Sequence, residues 1–264
     1  SLYRYNNMHF KYIAKNLGIM LSTFSLTMLP PILLSLYYSE KTTLAFSLSW
    51  FILLSLGFFL WFPLRFEQYE PRIREGFLIV VIYWFFLCLI GALPFFISDN
   101  PDISFVDAIF ESVSGLTATG ASVFKNLDIM PKSIVYYRQQ LQFLGGMGIL
   151  LLAVAILPML SIGGMQLFKT ESYETPDKII PRAAIFASGI SIVYIVLTST
   201  WAFMLWLAGM PIFDSITHAM TTLATGGYST KSESLGAFNS VNIEMIIVLG
   251  MIVGSLPFIH YLSI

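Results

Sequence analysis

Two stretches decide the fold: Phe105-Val-Asp-Ala-Ile-Phe-Glu-Ser-Val-Ser-Gly-Leu-Thr-Ala-Thr-Gly-Ala-Ser122 and Ile212-Phe-Asp-Ser-Ile-Thr-His-Ala-Met-Thr-Thr-Leu-Ala-Thr-Gly-Gly-Tyr-Ser229. They align without a gap. Asp107 falls on Asp214, Ile109 on Ile216, Leu116 on Leu223, Gly120 on Gly227 and Ser122 on Ser229. Two unrelated surface loops have no reason to keep that register, so the pair reads as an internal repeat. Within it, Ser104–Leu116 and Ile212–Leu223 are apolar and helix-like but too short to cross a bilayer, which takes about 20 residues. Each runs into a Thr/Gly/Ser stretch and then into another apolar helix. The layout is helix, re-entrant half-helix, loop, helix. Non-helical backbone at membrane depth must be buried in protein or line water.

The composition around these stretches is that of a membrane protein. Of 264 residues, 56% are hydrophobic, 16% aromatic and only 11% charged, against about 25% charged in a soluble domain. So little charge cannot cover a water-exposed globule of this size. The formal net charge of -1 argues against a nucleic-acid partner, which would want a basic face. The single cysteine, Cys88, lies in an apolar run with no thiol or metal motif and reads as a packing or lipid-facing residue. No signal peptide fits the N-terminus, and Met8 would make a native start.

Six stretches are long enough to span: Leu17–Tyr38, Leu44–Leu64, Gly76–Ile97, Leu141–Leu160, Ala183–Ala208 and Asn242–Ile264. Pro30 and Pro31 fall inside the first. The last reaches the end of the chain, which therefore looks cut short. Arg4, Lys11, Lys15, Arg65, Arg72, Arg74, Lys169, Lys178 and Arg182 lie on one side of these spans. Lys41, Lys125, Lys132, Arg138 and Lys231 lie on the other. The richer set is expected in the cytoplasm, with both termini.

The residue types in the two loops suit a cation path. A cation enters a filter only where oxygens replace its water shell, and rings of backbone carbonyls do this. Aiming consecutive carbonyls one way needs unusual torsions, which glycine adopts freely. The small residues Ala118, Thr119, Thr225 and Gly226 let the strands approach an axis, and neither loop contains a lysine or arginine that would favour anions. Asp107 and Asp214 stand at the start of each half-helix, as first-turn acids satisfying free amides or as vestibule charges that attract cations. Glu111 aligns with His218. Each braces its half-helix or carries a proton. Gly145-Gly146-Met147-Gly148 has no following Lys-Ser or Lys-Thr, so it is no phosphate loop and reads as close helix packing. Gly163-Gly164 ends or kinks the fourth span, and Lys169–Arg182 is a solvated connector.

Ser114-Gly-Leu-Thr-Ala-Thr-Gly-Ala-Ser122, followed by Leu141-Gln-Phe-Leu-Gly-Gly-Met-Gly-Ile149, resembles the Trk/Ktr/HKT superfamily of potassium transporters. Ala153-Val-Ala-Ile-Leu-Pro158, Ile162-Gly-Gly-Met-Gln166 and Ala224-Thr-Gly-Gly-Tyr-Ser-Thr230 extend the likeness. The chain is most similar to the N-terminal half of the membrane subunit of bacterial Trk potassium uptake systems. The resemblance implies an all-α integral membrane protein with two helix–pore-helix–helix repeats behind a two-helix hairpin, half of a fourfold pseudo-symmetric, potassium-channel-like pore. The divisions would be an N-terminal hairpin segment 1–75, a first repeat 76–160, a cytoplasmic connector 161–182 and a second repeat 183–264. Potassium would be held mainly by backbone carbonyls of Thr117, Ala118, Thr119, Gly120, Ala224, Thr225, Gly226 and Gly227, with Ala118, Thr119, Thr225 and Gly226 as the core set. The third and fourth repeats of the family are missing.

The resemblance further implies uptake of potassium across the bacterial inner membrane, by a homodimer in the full-length form, with a cytoplasmic nucleotide-binding regulatory subunit as partner. The lipid bilayer is its surroundings. No covalent cofactor and no enzymatic activity are expected, since no nucleophile or metal-ligand set accompanies the ionisable residues. The alternative is a structural or assembly subunit that conducts nothing itself.

Overall fold

The computed structural model describes residues 10–66, 73–160 and 179–256, and no strand occurs among them. The first elements are α1 (Phe10–Ser25), α2 (Leu29–Tyr37), α3 (Thr43–Trp61), α4 (Ile73–Gly91) and α5 (Leu93–Ile97). They are followed by α6 (Phe105–Leu116), α7 (Lys132–Leu160), α8 (Ile179–Leu207), α9 (Ile212–Leu223) and α10 (Val241–Ser255). The expected Met8 start, Gly163-Gly164, residues 161–178 of the expected connector and the last eight residues of the expected sixth span lie outside the described residues.

Among the described residues, four helical stretches are long and apolar enough to cross a membrane: Phe10–Tyr37, Thr43–Leu64, Gly76–Ile97 and Ala187–Leu207. These coincide with the expected first, second, third and fifth spans. The expected fourth, Leu141–Leu160, is the latter part of the 29-residue α7. The expected sixth begins as α10. Three boundaries differ from the sequence reading, one being the start of α7 at Lys132, ahead of the expected Leu141. The first span begins seven residues earlier, at Phe10. Helix α8 begins at Ile179, inside what reads as connector, so the helix extends past its apolar stretch.

The prolines of the first span act locally. Pro30 and Pro31 have no N–H for the carbonyls of Leu26 and Thr27. The chain tightens into a 3-10 turn at Leu26–Met28 and restarts as α2 with proline in its first turn, where the missing donor costs nothing.

The chain divides into two compact units. One comprises residues 1–113 with 129–137, the other 114–128 with 138–264. In the first, α1 and α3 cross in backbone contact. A Cβ on Gly18 would stand 2.7 Å from the Gly57 carbonyl oxygen, and one on Gly57 would run into the Ser22 hydroxyl. Small residues permit this approach, and Leu17, Leu21, Phe24, Phe46 and Leu53 close around it. Glu40, in the turn between α2 and α3, caps the start of α7. Its carboxylate accepts from the Lys132 and Ser133 amides and from the Ser133 hydroxyl. One turn on, the buried Tyr137 donates to the Gly91 carbonyl at 3.0 Å and packs edgewise on Phe46.

In the second unit, α8, α9 and α10 enclose Ile190, Tyr194, Leu205, Met210, Leu223, Ile243 and Ile247. The indole N–H of Trp201 reaches the Ile246 carbonyl at 2.9 Å and ties α8 to α10. The outer faces of both units carry bare apolar side chains, among them Phe51, Phe59, Val81, Phe85, Ile192, Phe203 and Leu249. Water would not tolerate so much exposed hydrocarbon; lipid would.

The backbone crossing of α1 and α3 leaves no room for a side chain. Gly57→Val should destabilise the hairpin by about 1–3 kcal/mol, read as a lower melting temperature of the detergent-solubilised protein. Substituting the lipid-exposed Phe59 by Leu should leave that temperature unchanged.

Candidate functional site

The two aligned segments fold alike, residue for residue. Both α6 and α9 are 12 residues long, and both end in a Schellman turn. After α6, the Ala118 amide bonds the Gly115 carbonyl and the Thr119 amide bonds that of Ser114, each at 2.9 Å. After α9, Thr225 bonds Thr222 at 3.0 Å and Gly226 bonds Thr221 at 2.9 Å. The turn needs one left-handed residue, and it falls on Ala118 (φ 52°) and Thr225 (φ 51°). Two residues later the chain turns left-handed again, at Gly120 (φ 79°) and Gly227 (φ 83°). A β-branched residue at positive φ is a genuine outlier, and such strain gathers at functional sites.

Side chains fasten the returning limbs the same way. The Ser114 hydroxyl donates to the Ala121 carbonyl at 2.6 Å, and the aligned Thr221 donates to the Tyr228 carbonyl at 3.0 Å. The Ser122 hydroxyl accepts the Phe124 amide at 3.1 Å, as Ser229 accepts that of Lys231 at 3.1 Å. All but Ser122 of these four hydroxyl residues are buried.

The braces behind the loops then differ. Arg138, which reads from sequence as one of the charges of the less basic side, is only 1% exposed. Its guanidinium donates to the Ser122 hydroxyl at 2.9 Å and the Ser229 carbonyl at 3.3 Å, and lies 4.2 Å from the Tyr228 ring centre. Behind the second loop, His218 Nδ1 meets the Asp214 carbonyl at 2.8 Å, and its Nε2 meets the Ser229 hydroxyl at 2.9 Å. A carbonyl only accepts, so Nδ1 carries the hydrogen, and in the neutral ring Nε2 accepts from Ser229. The aligned Glu111 is wholly buried.

Gln142 on α7 joins this frame. Its Nε2 donates to the Gly226 carbonyl at 3.0 Å, and its Oε1 accepts the Tyr228 amide at 3.2 Å. Tyr228 in turn donates its hydroxyl to the Ala121 carbonyl at 3.2 Å. The glycines are packed to match. A Cβ on Gly120 would collide with the Gly226 carbonyl oxygen, and one on Gly226 with the Gln142 amide. A Cβ on Gly227 would meet nothing within 4 Å, so there only the backbone angle demands glycine.

The expected residues thus fall into place as follows. Thr117, Ala118, Thr119 and Gly120 form the first loop, in which the Thr117 and Thr119 hydroxyls bond at 2.7 Å. Ala224, Thr225, Gly226 and Gly227 form the second. Asp107 is a first-turn acid whose carboxylate takes the Ser104 hydroxyl at 2.8 Å, while Ser104 caps the Asp107 amide. Asp214 also stands in the first turn of its helix, but it is buried and takes the Thr230 hydroxyl at 2.6 Å, pinning the limb beyond the loop to the start of α9. Gly145 presses on the Leu116 carbonyl, and Gly254 lies against that of Leu223, so the glycines of the fourth stretch serve close packing.

Farther along, Lys231 stands 3.6 Å from the Asp128 carboxylate, which also accepts the Ser232 amide at 3.3 Å. Hydrogen bonds from Ser232, and then the Lys231 charge, hold the Asp128 carboxyl below its usual range. A depressed carboxyl stabilises the fold above its unfolded value, and that contribution is lost as pH falls through the folded one; for so exposed a pair the effect is small.

Sequence reasoning missed Gln142, Arg138 and the pair Ser114/Thr221 as parts of the site. The pair was visible as hydroxyl residues at matched positions. The other two were visible only as polar residues opening an otherwise apolar helix.

A family model described as TrkH, cation transport protein, matches residues 43–264. The chain belongs to the TrkH cation transport family. It is 46% identical over 257 residues to the Trk system potassium uptake protein TrkH of Vibrio parahaemolyticus, covering 96% of this chain and 53% of that protein. It is 38% identical to the TrkG protein of Escherichia coli, covering 91% and 50%. The crystal structure of the potassium transporter TrkH from Vibrio parahaemolyticus superimposes with a TM-score of 0.83 over 92% of this chain and 49% of that one. The chain spans about half the length of the relatives it matches. As a TrkH-family chain it is a multi-pass membrane protein from a family of transporters, not of enzymes.

Glycine in place of the left-handed Ala118 and Thr225 of the two loops removes strain of roughly 1 kcal/mol each. Thr225→Gly and Ala118→Gly should therefore hold or raise the melting temperature. Thr221→Val, which strips the hydroxyl from the Tyr228 carbonyl, should lower it by an amount corresponding to about 1 kcal/mol.

Proposed function

We propose that this chain supplies two of four filter quadrants of a potassium uptake protein of the bacterial inner membrane. The observation that carries the reading is the matched pair of left-handed residues, Ala118 with Gly120 and Thr225 with Gly227, each pair following a capped half-helix. Such torsions aim peptide oxygens at a shared axis, where they replace the water shell of a potassium ion. Thr117–Gly120 and Ala224–Gly227 are the segments that line it. The loop side chains are small, neutral or hydroxylic, so nothing in them opposes a cation. Potassium is the transported ligand and not a resident cofactor.

In this reading, residues 1–75 are an N-terminal hairpin, 76–160 and 183–264 are the two helix–pore-helix–helix repeats, and 161–182 connect them in the cytoplasm. The re-entrant half-helices descend from the outer side, the less basic one. Two further quadrants complete the ring in the full transporter. A homodimeric assembly and a cytoplasmic nucleotide-binding partner follow from the family likeness alone.

Two measurements on the complete transporter test this. Gly120→Asp combined with Gly227→Asp should reduce potassium uptake to background in cells that lack other uptake routes; unchanged flux would sink the proposal. The unmodified protein should melt at a higher temperature in potassium than in lithium, by an amount corresponding to about 2–3 kcal/mol near 100-fold saturation. Equal melting in both salts favours a structural subunit with no ion site.

A further inference from the structure

We propose that Gln142 and Arg138, one turn apart on α7, are positioning residues for ion selectivity, clamping the second filter loop to the first. This rests on the proposed filter function. The two bonds of Gln142 are placed on the two peptide groups that flank Gly227. The Gly226 carbonyl belongs to the peptide before that glycine and the Tyr228 amide to the peptide after it. Gly227 has open space around it and no side chain to resist rotation. Left alone, its flanking peptides could flip and turn an oxygen away from the ion. A single buried carboxamide, donor at one end and acceptor at the other, holds both planes at once.

Arg138 extends the clamp across the loops. Its guanidinium bonds Ser122 beyond the first loop and Ser229 beyond the second, with the Tyr228 ring against its face. The Tyr228 hydroxyl returns to Ala121 of the first limb. The two loops are therefore linked through one polar face of α7, at the level where Gly120 already touches the Gly226 carbonyl.

Among the described residues, α10 does not repeat the side chains of the clamp. Gly145 rests on the end of α6 as Gly254 rests on the end of α9, so α7 and α10 stand in the same register against the two half-helices. Three residues before these glycines come Gln142 and Met251, and seven before come Arg138 and Ile247. Neither Met251 nor Ile247 can donate a hydrogen bond. The Gly226 oxygen, already taking an amide hydrogen, is also a weaker cation ligand than a free carbonyl. The second quadrant is thus held more tightly and binds differently from the first.

The test uses the complete transporter, with potassium and sodium uptake measured in competition. Gln142→Met installs the residue found at the matching place on α10. Gln142→Glu keeps the acceptor for Tyr228 and removes the donor to Gly226. Both should lower the preference for potassium over sodium by about fivefold or more. Arg138→Lys, which keeps the charge but not the two-pronged reach, should lie between these variants and the parent. Where Gln142→Met does not accumulate, Gln142→Glu gives the same reading. An unchanged preference in a variant that accumulates and melts like the parent overturns the clamp. An unmodified transporter that carries no potassium instead overturns the proposed function and leaves a different signature.

Discussion

The turn that stops each half-helix is the constraint on which the site depends. A helix that ends away from bulk water leaves its last carbonyls and the following amides without solvent to bond. The Schellman turns after Leu116 and Leu223 satisfy two of those carbonyls each, and a hydroxyl from the last turn reaches across to the returning limb. Only after this fastening can the next residues run extended with their oxygens turned aside. The left-handed torsion at Ala118 and Thr225 comes from the helix stop, and the one at Gly120 and Gly227 from the loop.

The same demand shapes α7. A span meant only to cross hydrocarbon has no use for Arg138, Gln139, Gln140 and Gln142, all at most 5% exposed. Two of these bond the loop limbs directly. The start of this helix is fastened as well, by the Glu40 carboxylate and by the Tyr137 hydroxyl.

Local patterns carried most of the fold. The gapless register of 105–122 with 212–229 anticipated two helices with matched ends. It also paired the two glycines that prove left-handed. Apolar runs located the spans, because hydrocarbon length and composition are properties of a segment by itself. What failed to show were roles that arise between segments. Asp107 and Asp214 align and both stand in a first turn, yet one takes a hydroxyl three residues back and the other a hydroxyl 16 residues on. Arg138 reads as a solvated charge because charge alone suggests a loop side, while its burial depends on two rings and two acceptors from distant positions. The first span reads as starting at Leu17, since polar Lys11, Lys15 and Asn16 dilute its earlier turns. Those residues are tolerated: Asn16 bonds the Tyr12 carbonyl and Lys15 bonds that of Arg65.

The frame of the two loops is duplicated, but what stands behind it is not. Ser122 and Ser229 make the same turn, each taking the amide two residues on. One is then held by a guanidinium that stays charged at any physiological pH. The other has its carbonyl taken by the same guanidinium but its hydroxyl held by an imidazole, whose hydrogen bond to Ser229 reverses direction if the ring gains a proton. Shared backbone bonds preserve the loop's shape through such divergence, because they use atoms that every residue has. The braces use side chains, so they are free to differ between the two loops. Loops of like backbone conformation are therefore held by unlike partners.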